Sequence, residues 1–200
     1  VKVVAHQHDI PADKDACTCG YVCDHKTVDA DGKCIVCKRQ MAAMVTKDYV
    51  SHTYTTVDAA LAEALEISGS TLKLLRDADG AVSITDSRNV FYLDLNGKNM
   101  SALTVSGTNS PKLMDSKSGG TISSITYRGG MLAALLHSGW GFKKSGTWLT
   151  ADELFGTGAT NVSVAKIPIK SMDYPTEMSM TYGGAGTLLV KVEKETGTGA

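Results

Sequence analysis

A Cys/His spacing that occurs twice within the first 37 residues constrains this chain more than any other feature. In each copy, two ligand-type residues lie one residue apart, eight residues follow, and a close pair of cysteines completes the set. Imidazole and thiolate groups suit zinc, and four is the number of ligands that a tetrahedral zinc ion takes. The predicted ligands are His6, His8, Cys17 and Cys19 in the first copy, and Cys23, His25, Cys34 and Cys37 in the second.

The loop of the second copy contains Asp31-Gly32, which is a strong reversal signal because glycine tolerates positive φ. Such a turn would return Cys34 and Cys37 to the first ligand pair. Both sets close at four protein ligands and leave no open position for a catalytic water. We therefore expect one or two structural zinc ions, without which so small a segment would unfold.

Two other interpretations of the same residues stay open. A single site could instead be built from two pairs of cysteines, with the ligands Cys17, Cys19, Cys34 and Cys37. Cys23 and His25 would then bind no metal. A disulfide framework is the other interpretation. The chain has five cysteines, so one thiol would stay unpaired, and disulfides do not explain histidines at matching positions.

Composition indicates a β-rich extracellular module. Glycine is abundant at 20 residues, aromatic residues make up 6%, and Thr, Ser and Val recur in short runs between turns. The net charge of −1 gives no reason to expect nucleic acid as a partner. No apolar run of membrane-spanning length, signal peptide or lipidation motif is present, so we expect no direct membrane insertion.

The pattern after the cysteines predicts one short amphipathic helix followed by strands. Apolar residues recur at helical spacing over Asp58–Ile67, with Thr55, Thr56 or Asp58 as the N-cap. The period then changes to two in short runs separated by turns. The predicted strands are Thr71–Leu75, Ala81–Ile84, Val90–Leu95, Ala102–Val105, Lys112–Met114 and Thr121–Ile125.

These strands suit either a sandwich of antiparallel hairpins or a stack of parallel rungs. A helix just before the first strand can cover the open end of a stack, which favours the second arrangement. The fold class expected is mainly β, with a short right-handed parallel β-helix-like region capped by a helix. Beyond it we expect a short helix over Met131–Leu136, a hairpin over His137–Trp148 and a strand over Asn161–Pro168.

The expected domain division has three parts. Residues 1–45 form a Cys/His zinc-knuckle module, and residues 46–170 form the β-helix-like domain. Residues 171–200 are the start of an incomplete immunoglobulin-like domain or a linker. The chain is expected to be a segment of a longer modular protein.

Several short motifs in this order resemble modules of large secreted surface proteins of Firmicutes. They are the Cys/His pairs with Asp31–Cys37, Tyr54–Leu61, Leu72–Asp77, Leu93–Lys98 and Leu135–Lys143. The resemblance implies a β-helix-like region followed by immunoglobulin-like repeats, located at the bacterial cell surface. It implies no catalytic residues.

The chemistry of the remaining residues indicates a non-catalytic protein. Asp94 is the only acid inside the six predicted strands, and a hydrogen-bonded corner role explains it more simply than acid–base work. His137 and Ser138 are adjacent, which does not give a base and a nucleophile their geometry, and no Gly-x-Ser-x-Gly elbow is present.

Aromatic residues are the remaining candidates for recognition. Exposed rings stack on sugars or anchor a protein partner, whereas buried rings fill a core, and core filling is the commoner use. The candidate ligand-binding residues are Trp140, Phe142 and Trp148 on the predicted hairpin, with Tyr127 nearby in the sequence.

The function expected is that of a non-catalytic module of a bacterial cell-surface protein, acting as a structural spacer, in presentation or in adhesion. Its partners would be neighbouring domains of a longer chain, together with a host glycan or protein. The first alternative is a carbohydrate-binding accessory domain of a glycan-active enzyme. The second is a β-helix glycosidase or polysaccharide lyase, which would need clustered carboxylates.

Overall fold

A computed structural model describes most of the chain from residue 21 onward. The described residues are 14, 16, 21–85, 89–106, 111–128, 135–149, 159–173 and 191–194. They confirm the mainly β class, with one helix among the elements of this part of the chain. No helix in these ranges is both long and apolar enough to cross a membrane.

The described residues form strands and one helix in the following order. The first five are β1 (Ala43–Lys47), β2 (Val50–Tyr54), α1 (Val57–Glu66), β3 (Thr71–Leu74) and β4 (Ala78–Ile84). The next four are β5 (Tyr92–Asp94), β6 (Met100–Val105), β7 (Lys112–Met114) and β8 (Thr121–Tyr127). The last five are β9 (Trp140–Lys144), β10 (Thr147–Trp148), β11 (Ala159–Lys166), β12 (Ile169–Asp173) and β13 (Lys191–Lys194).

From β3 to β8, successive strands alternate between two sheets. The first sheet has the order β2-β1-β3-β5-β7, and the second has the order β10-β9-β11-β8-β6-β4. Strands β3, β5 and β7 are mutually parallel, as are β4, β6 and β8. Both sheets differ from a purely parallel stack, because the β1–β2 hairpin and the β8–β11–β9 run add antiparallel strands.

One apolar core lies between these sheets and draws on both. Strands β3 and β7 of the first sheet alternate buried and less buried positions, as expected where one face of a sheet packs on the core. The largest fully buried side chains include Leu72, Leu93 and Leu113 from the first sheet, and Ile84, Leu103 and Ile122 from the second. The period-two runs of the sequence therefore located β3 to β8.

Polar side chains hold the corners where the chain leaves one sheet for the other. The Nδ2 atom of Asn96 donates to the Leu74 carbonyl at 2.8 Å, and the backbone N–H of Ser116 donates to Oδ1 of Asp94 at 2.8 Å. Each of these bonds joins residues 22 positions apart, one strand pair to the next. The corner role predicted for Asp94 agrees with these contacts, because its carboxylate is fully buried and also accepts from the N–H of Asn96.

Asp115 provides a test of this corner. Its buried carboxylate accepts from the backbone N–H groups of Gly97 and Gly120, so Asp115→Ala leaves both donors without that partner. We expect a loss of about 2 to 4 kcal/mol in the free energy of unfolding, measured by chemical denaturation. Asp79→Ala, at an exposed carboxylate, is the matched control and should change stability by less than about 0.5 kcal/mol. Equal losses in the two variants would contradict the corner role.

Helix α1 begins after one of the three N-cap residues predicted from the sequence, and one of its faces is buried. Thr56 is the N-cap, and its side chain accepts from the N–H of Ala59 at 3.2 Å. Ala60, Leu61 and Ala64 are buried, and the helix packs against β1, β2 and β3. The helix therefore covers one edge region of the first sheet.

A polar contact also joins α1 to the edge strand β2. The carboxylate of Glu63 accepts a hydrogen bond from the Tyr54 hydroxyl and lies 2.7 Å from Nδ1 of His52. Burial, together with the hydrogen bond and the negative charge of Glu63, raises the pKa of Tyr54 to about 12.

This contact predicts a late tyrosine ionisation. Because the pKa of Tyr54 in the fold lies above its ordinary value of 10, the neutral phenol stabilises the folded state fully below pH 10. That contribution is lost as the pH rises from 10 to about 12. An ultraviolet absorbance titration should show a tyrosine that ionises near the top of this range and disappears in Tyr54→Phe. The fully exposed Tyr49 supplies the control: the late step should survive in Tyr49→Phe, and its loss there would contradict the assignment.

The structure differs from the expected elements in two places. The β1–β2 hairpin was not predicted. A helix was predicted over Met131–Leu136. Its last residue, Leu136, is instead in an extended conformation and forms a parallel bridge with Leu113. Residues 131–134 lie outside the described part. Near the C-terminus β12 pairs antiparallel with β13, and the proposed immunoglobulin-like start otherwise lies outside the described residues.

Candidate metal centre

Four predicted ligands come together at one point. The sulfurs of Cys23, Cys34 and Cys37 and a ring nitrogen of His25 all lie within 4.8 Å of one another. The Cys23 and Cys34 sulfurs are 3.4 Å apart, and the Cys37 sulfur lies 3.3 Å from Nδ1 of His25. A tetrahedral zinc ion with metal–sulfur bonds of about 2.3 Å separates its sulfurs by about 3.8 Å. The cluster is therefore of a size that could hold a metal ion.

A tight turn returns the second ligand pair to the first. Val28 bridges Cys34 in antiparallel fashion, and Oδ1 of Asp29 accepts from the N–H groups of Asp31 and Lys33 at 3.0 and 2.9 Å. Gly32 has φ +81°, the left-handed conformation that the Asp31-Gly32 signal requires. The turn thus brings the end of the eight-residue loop back beside its beginning.

The Cys34-x-x-Cys37 segment forms a second turn that is closed by backbone bonds. The N–H of Lys38 donates to the Cys34 carbonyl at 2.9 Å, and the N–H of Cys34 donates to the Arg39 carbonyl at 2.8 Å. Lys38 has φ 61°, which lets the chain reverse directly after the last ligand. The two sulfurs of this segment are thereby presented on the same side.

The thiols of the cluster differ in acidity. Burial is the main cause that raises the pKa of Cys23 to about 11, with the neighbouring thiols adding to it. Burial also acts to raise the pKa of Cys34, but hydrogen bonds from the backbone N–H groups of Cys37 and Val36 and from His25 outweigh it and lower the pKa to about 6. Backbone N–H groups thus favour a thiolate at Cys34, and thiolates are the form that binds metal.

A small apolar core joins the cluster to the first sheet. Cys23 and Cys34 are buried together with Met41 and Leu75 in a cluster that is separate from the main core. Leu75 directly follows β3. Gln40 donates from Nε2 to the carbonyls of Gly32 and Leu75, at 3.2 and 3.3 Å. This places the cluster beside the sheet that follows it in the chain.

A hydroxyl on β2 holds the other ligand pair. The Thr53 side chain donates to the backbone carbonyl of His25. Both anchoring residues, Thr53 and Gln40, were missed by sequence reasoning. No sequence signal marks them, because each acts across a long-range contact and neither belongs to a ligand spacing.

The described residues distinguish the interpretations only in part. Cys23 and His25 lie beside Cys34 and Cys37, as the repeated-spacing interpretation requires of its second site. Cys23, Cys34 and Cys37 are free thiols, and the 3.4 Å between the sulfurs of Cys23 and Cys34 far exceeds a disulfide bond of about 2.05 Å. The ligands predicted for the first site, His6, His8, Cys17 and Cys19, lie outside the described residues.

The aromatic candidates occupy different environments. Phe142 and Tyr127 are buried in the main core, and Trp140 packs against that core while keeping part of its surface exposed. Trp148 is half-buried, and Nζ of Lys143 lies 4.1 Å from the centroid of its ring. Of the three residues predicted to bind a ligand, Trp140 and Trp148 therefore keep accessible surface.

The fold and the cluster together define a mainly β protein with a candidate Cys/His metal centre. Compared with protein-family models, curated proteins and solved structures, the chain gives no match. Its function is therefore inferred from the geometry and chemistry of its own residues.

The junction between cluster and sheet can be tested at a glycine. A Cβ at Gly32 would lie 2.8 Å from Cβ of Leu75, whereas a Cβ at Gly146 would meet nothing within 4 Å, and both residues have positive φ, +81° and +85°. Both alanine variants carry the backbone cost, but Gly32→Ala should lose about 1 to 3 kcal/mol more through overpacking.

The exposure of the Cys23 and Cys34 thiols along a denaturant series would measure this loss. It should occur at lower denaturant concentration in Gly32→Ala than in Gly146→Ala. Identical curves would mean that the cluster does not pack on Leu75 as described.

Proposed function

We propose that Cys23, His25, Cys34 and Cys37 bind one structural zinc ion, and that the chain is a non-catalytic β scaffold module. The observation that carries the proposal is the convergence of four ligand atoms within 4.8 Å, in a place with few other buried side chains. Three sulfurs and one imidazole nitrogen suit zinc, and four protein ligands leave no position for a reacting water. The zinc would stabilise the first part of the chain rather than carry out chemistry.

The second ion of the proposal would lie at His6, His8, Cys17 and Cys19. Its support is the repeat of the spacing alone, since the same order of close pairs and the same loop length precede the described cluster. One or two ions per chain are therefore proposed.

For the remainder of the chain we propose a β-helix-like scaffold. Its support is the alternation of β3 to β8 between two sheets with parallel pairing inside each, and hydrogen bonds that recur at a separation of 22 residues. Stacked rungs of this kind give an elongated and rigid shape that can space neighbouring domains. We also propose that this scaffold lies at the surface of a Firmicutes cell, and the support for this is the motif resemblance.

The buried acids favour a scaffold over a glycosidase or lyase. Asp94 and Asp115 are fully buried, and backbone N–H groups occupy three of their four carboxylate oxygens. The remaining oxygen, Oδ2 of Asp94, lies 3.9 Å from Nζ of Lys73. Carboxylates used in this way support corners and do not face a substrate groove.

Zinc content tests the proposal directly. The full chain, purified without chelator, should contain one or two zinc ions per molecule by elemental analysis. Cys34→Ser should remove one equivalent of zinc, because replacing one thiolate opens the four-ligand set. His52→Asn changes a histidine that contacts Glu63 outside the cluster, so it should keep the zinc content of the parent chain.

Hydrogen exchange locates the effect of the metal. After chelation, amides in residues 21–42 should lose protection while those of β3 to β8 keep it, since the main core does not include the cluster. A chain that carries no zinc, or a Cys34→Ser variant with unchanged zinc content, would overturn the proposed site.

A further inference from the structure

A cleft of about 560 Å³ lies at the β7 edge of the first sheet. All of its lining residues follow the Cys/His cluster in the sequence. Its volume falls in the range of about 300 to 1,000 Å³ that is typical of small-ligand sites. The residues that line it are Tyr92, Lys112, Leu136, His137, Ser138, Gly139 and Trp140. Three of them carry aromatic rings and one carries a positive charge.

Parallel pairing places the first two of these side chains next to each other. Tyr92 on β5 and Lys112 on β7 are register partners, and both are partly exposed while their neighbours Leu93 and Leu113 are buried. Side chains of paired residues in a sheet point to the same face. The tyrosine ring and the lysine therefore share the outer face of this sheet edge.

The segment after residue 134 brings the third side chain to the same place. The N–H of Leu113 donates to the Leu135 carbonyl and the N–H of His137 donates to the Leu113 carbonyl, at 2.8 and 2.9 Å. This pairing holds His137 beside β7, and its ring lies 5.2 Å from that of Tyr92, with an angle of 49° between the planes. The two rings therefore lie side by side, and both line the cleft.

A tight turn brings the third ring, that of Trp140, to the cleft. The N–H of Trp140 donates to the His137 carbonyl at 3.0 Å, and Gly139 between them has φ +80°, as the third residue of a type II turn requires. Trp140 also packs against the main core, so its indole is held in position. The rings are thus pre-arranged by backbone bonds rather than by a ligand.

From this arrangement we propose that the cleft binds a saccharide with an acidic sugar, through a carboxylate near Lys112 and sugar faces against the rings. Aromatic faces stack on the C–H faces of pyranose rings, and His137 and Ser138 offer hydrogen-bonding groups to hydroxyls. An ammonium donates charge-assisted hydrogen bonds to a carboxylate. A second cavity, of about 180 Å³, has no aromatic ring among its lining residues. The inference goes beyond the scaffold role and does not depend on zinc.

Isothermal titration calorimetry with oligosaccharides tests this site. The probes are galacturonan and hyaluronan oligosaccharides, which carry carboxylates, and a malto-oligosaccharide of equal length, which is neutral. The acidic probes should bind at least about tenfold more tightly than the neutral one, because only they use the lysine, and added salt should reduce the difference.

Variants then separate the contributions. Lys112→Met keeps an apolar stem and should weaken the acidic probes about tenfold while leaving the neutral probe unchanged. Tyr92→Ala should weaken all probes about fivefold or more, with thermal unfolding as the check on folding. Tyr49→Ala, at a fully exposed ring in the β1–β2 turn outside the cleft, is the aromatic control and should bind like the parent chain.

Two results would overturn the site: no binding of either acidic probe at millimolar concentration, or binding that Lys112→Met leaves intact. Zinc content is measured separately, so the failure of one proposal is distinguishable from the failure of the other.

Discussion

Convergence of three sulfurs and one imidazole is the constraint on which the first part of this structure depends. Among the described residues the buried apolar side chains around the cluster are few: Met41 and Leu75 join the two buried cysteines, and Val28 and Met44 are partly buried against them. So small an apolar core cannot offset the conformational entropy of ordering about 20 residues, which costs about 1 to 2 kcal/mol per residue for the backbone. The proposed metal, which binds only the folded arrangement, would add the missing free energy. The cluster then acts as the core of its own segment.

The two-sheet body is stabilised by a different combination of forces. A shared apolar core drives the sheets together, and buried polar side chains at the corners satisfy backbone groups that the strands leave unpaired. Asp77, Asn99 and Thr121 repeat this arrangement on a more exposed corner, again at 22-residue intervals. Regular spacing of this kind lets successive strand pairs stack in register. The Thr53 and Gln40 contacts tie the cluster to this body.

Local patterns in the sequence predicted the local structure well. Helical spacing and one of three candidate caps, Thr56, located α1. Period-two runs located the strands β3 to β8, and Asp31-Gly32 located the loop reversal. The β1–β2 hairpin escaped because its turn places Asp48 and Tyr49 at φ 47° and 68° without a glycine, so the usual hairpin signal is missing. The apolar run before His137 suits a buried strand as well as a helix, and of its residues the structure describes only Leu135 and Leu136, which pair with β7.

Long-range features could not be obtained from the sequence. The position of β11 between β8 and β9, and the meeting of Tyr92 with His137, depend on chain reversals that no local pattern specifies. The ligand spacing is the exception, because metal geometry connects residues that are distant in sequence, and the four residues of the second copy lie together.

Diffraction from crystals of the full chain, recorded on both sides of the zinc absorption edge, tests the central claim most directly. The account predicts an anomalous peak about 2.3 Å from the sulfurs of Cys23, Cys34 and Cys37 and about 2.0 Å from a ring nitrogen of His25. Two of these sulfurs joined at about 2.05 Å, or no peak between the four side chains, would contradict it.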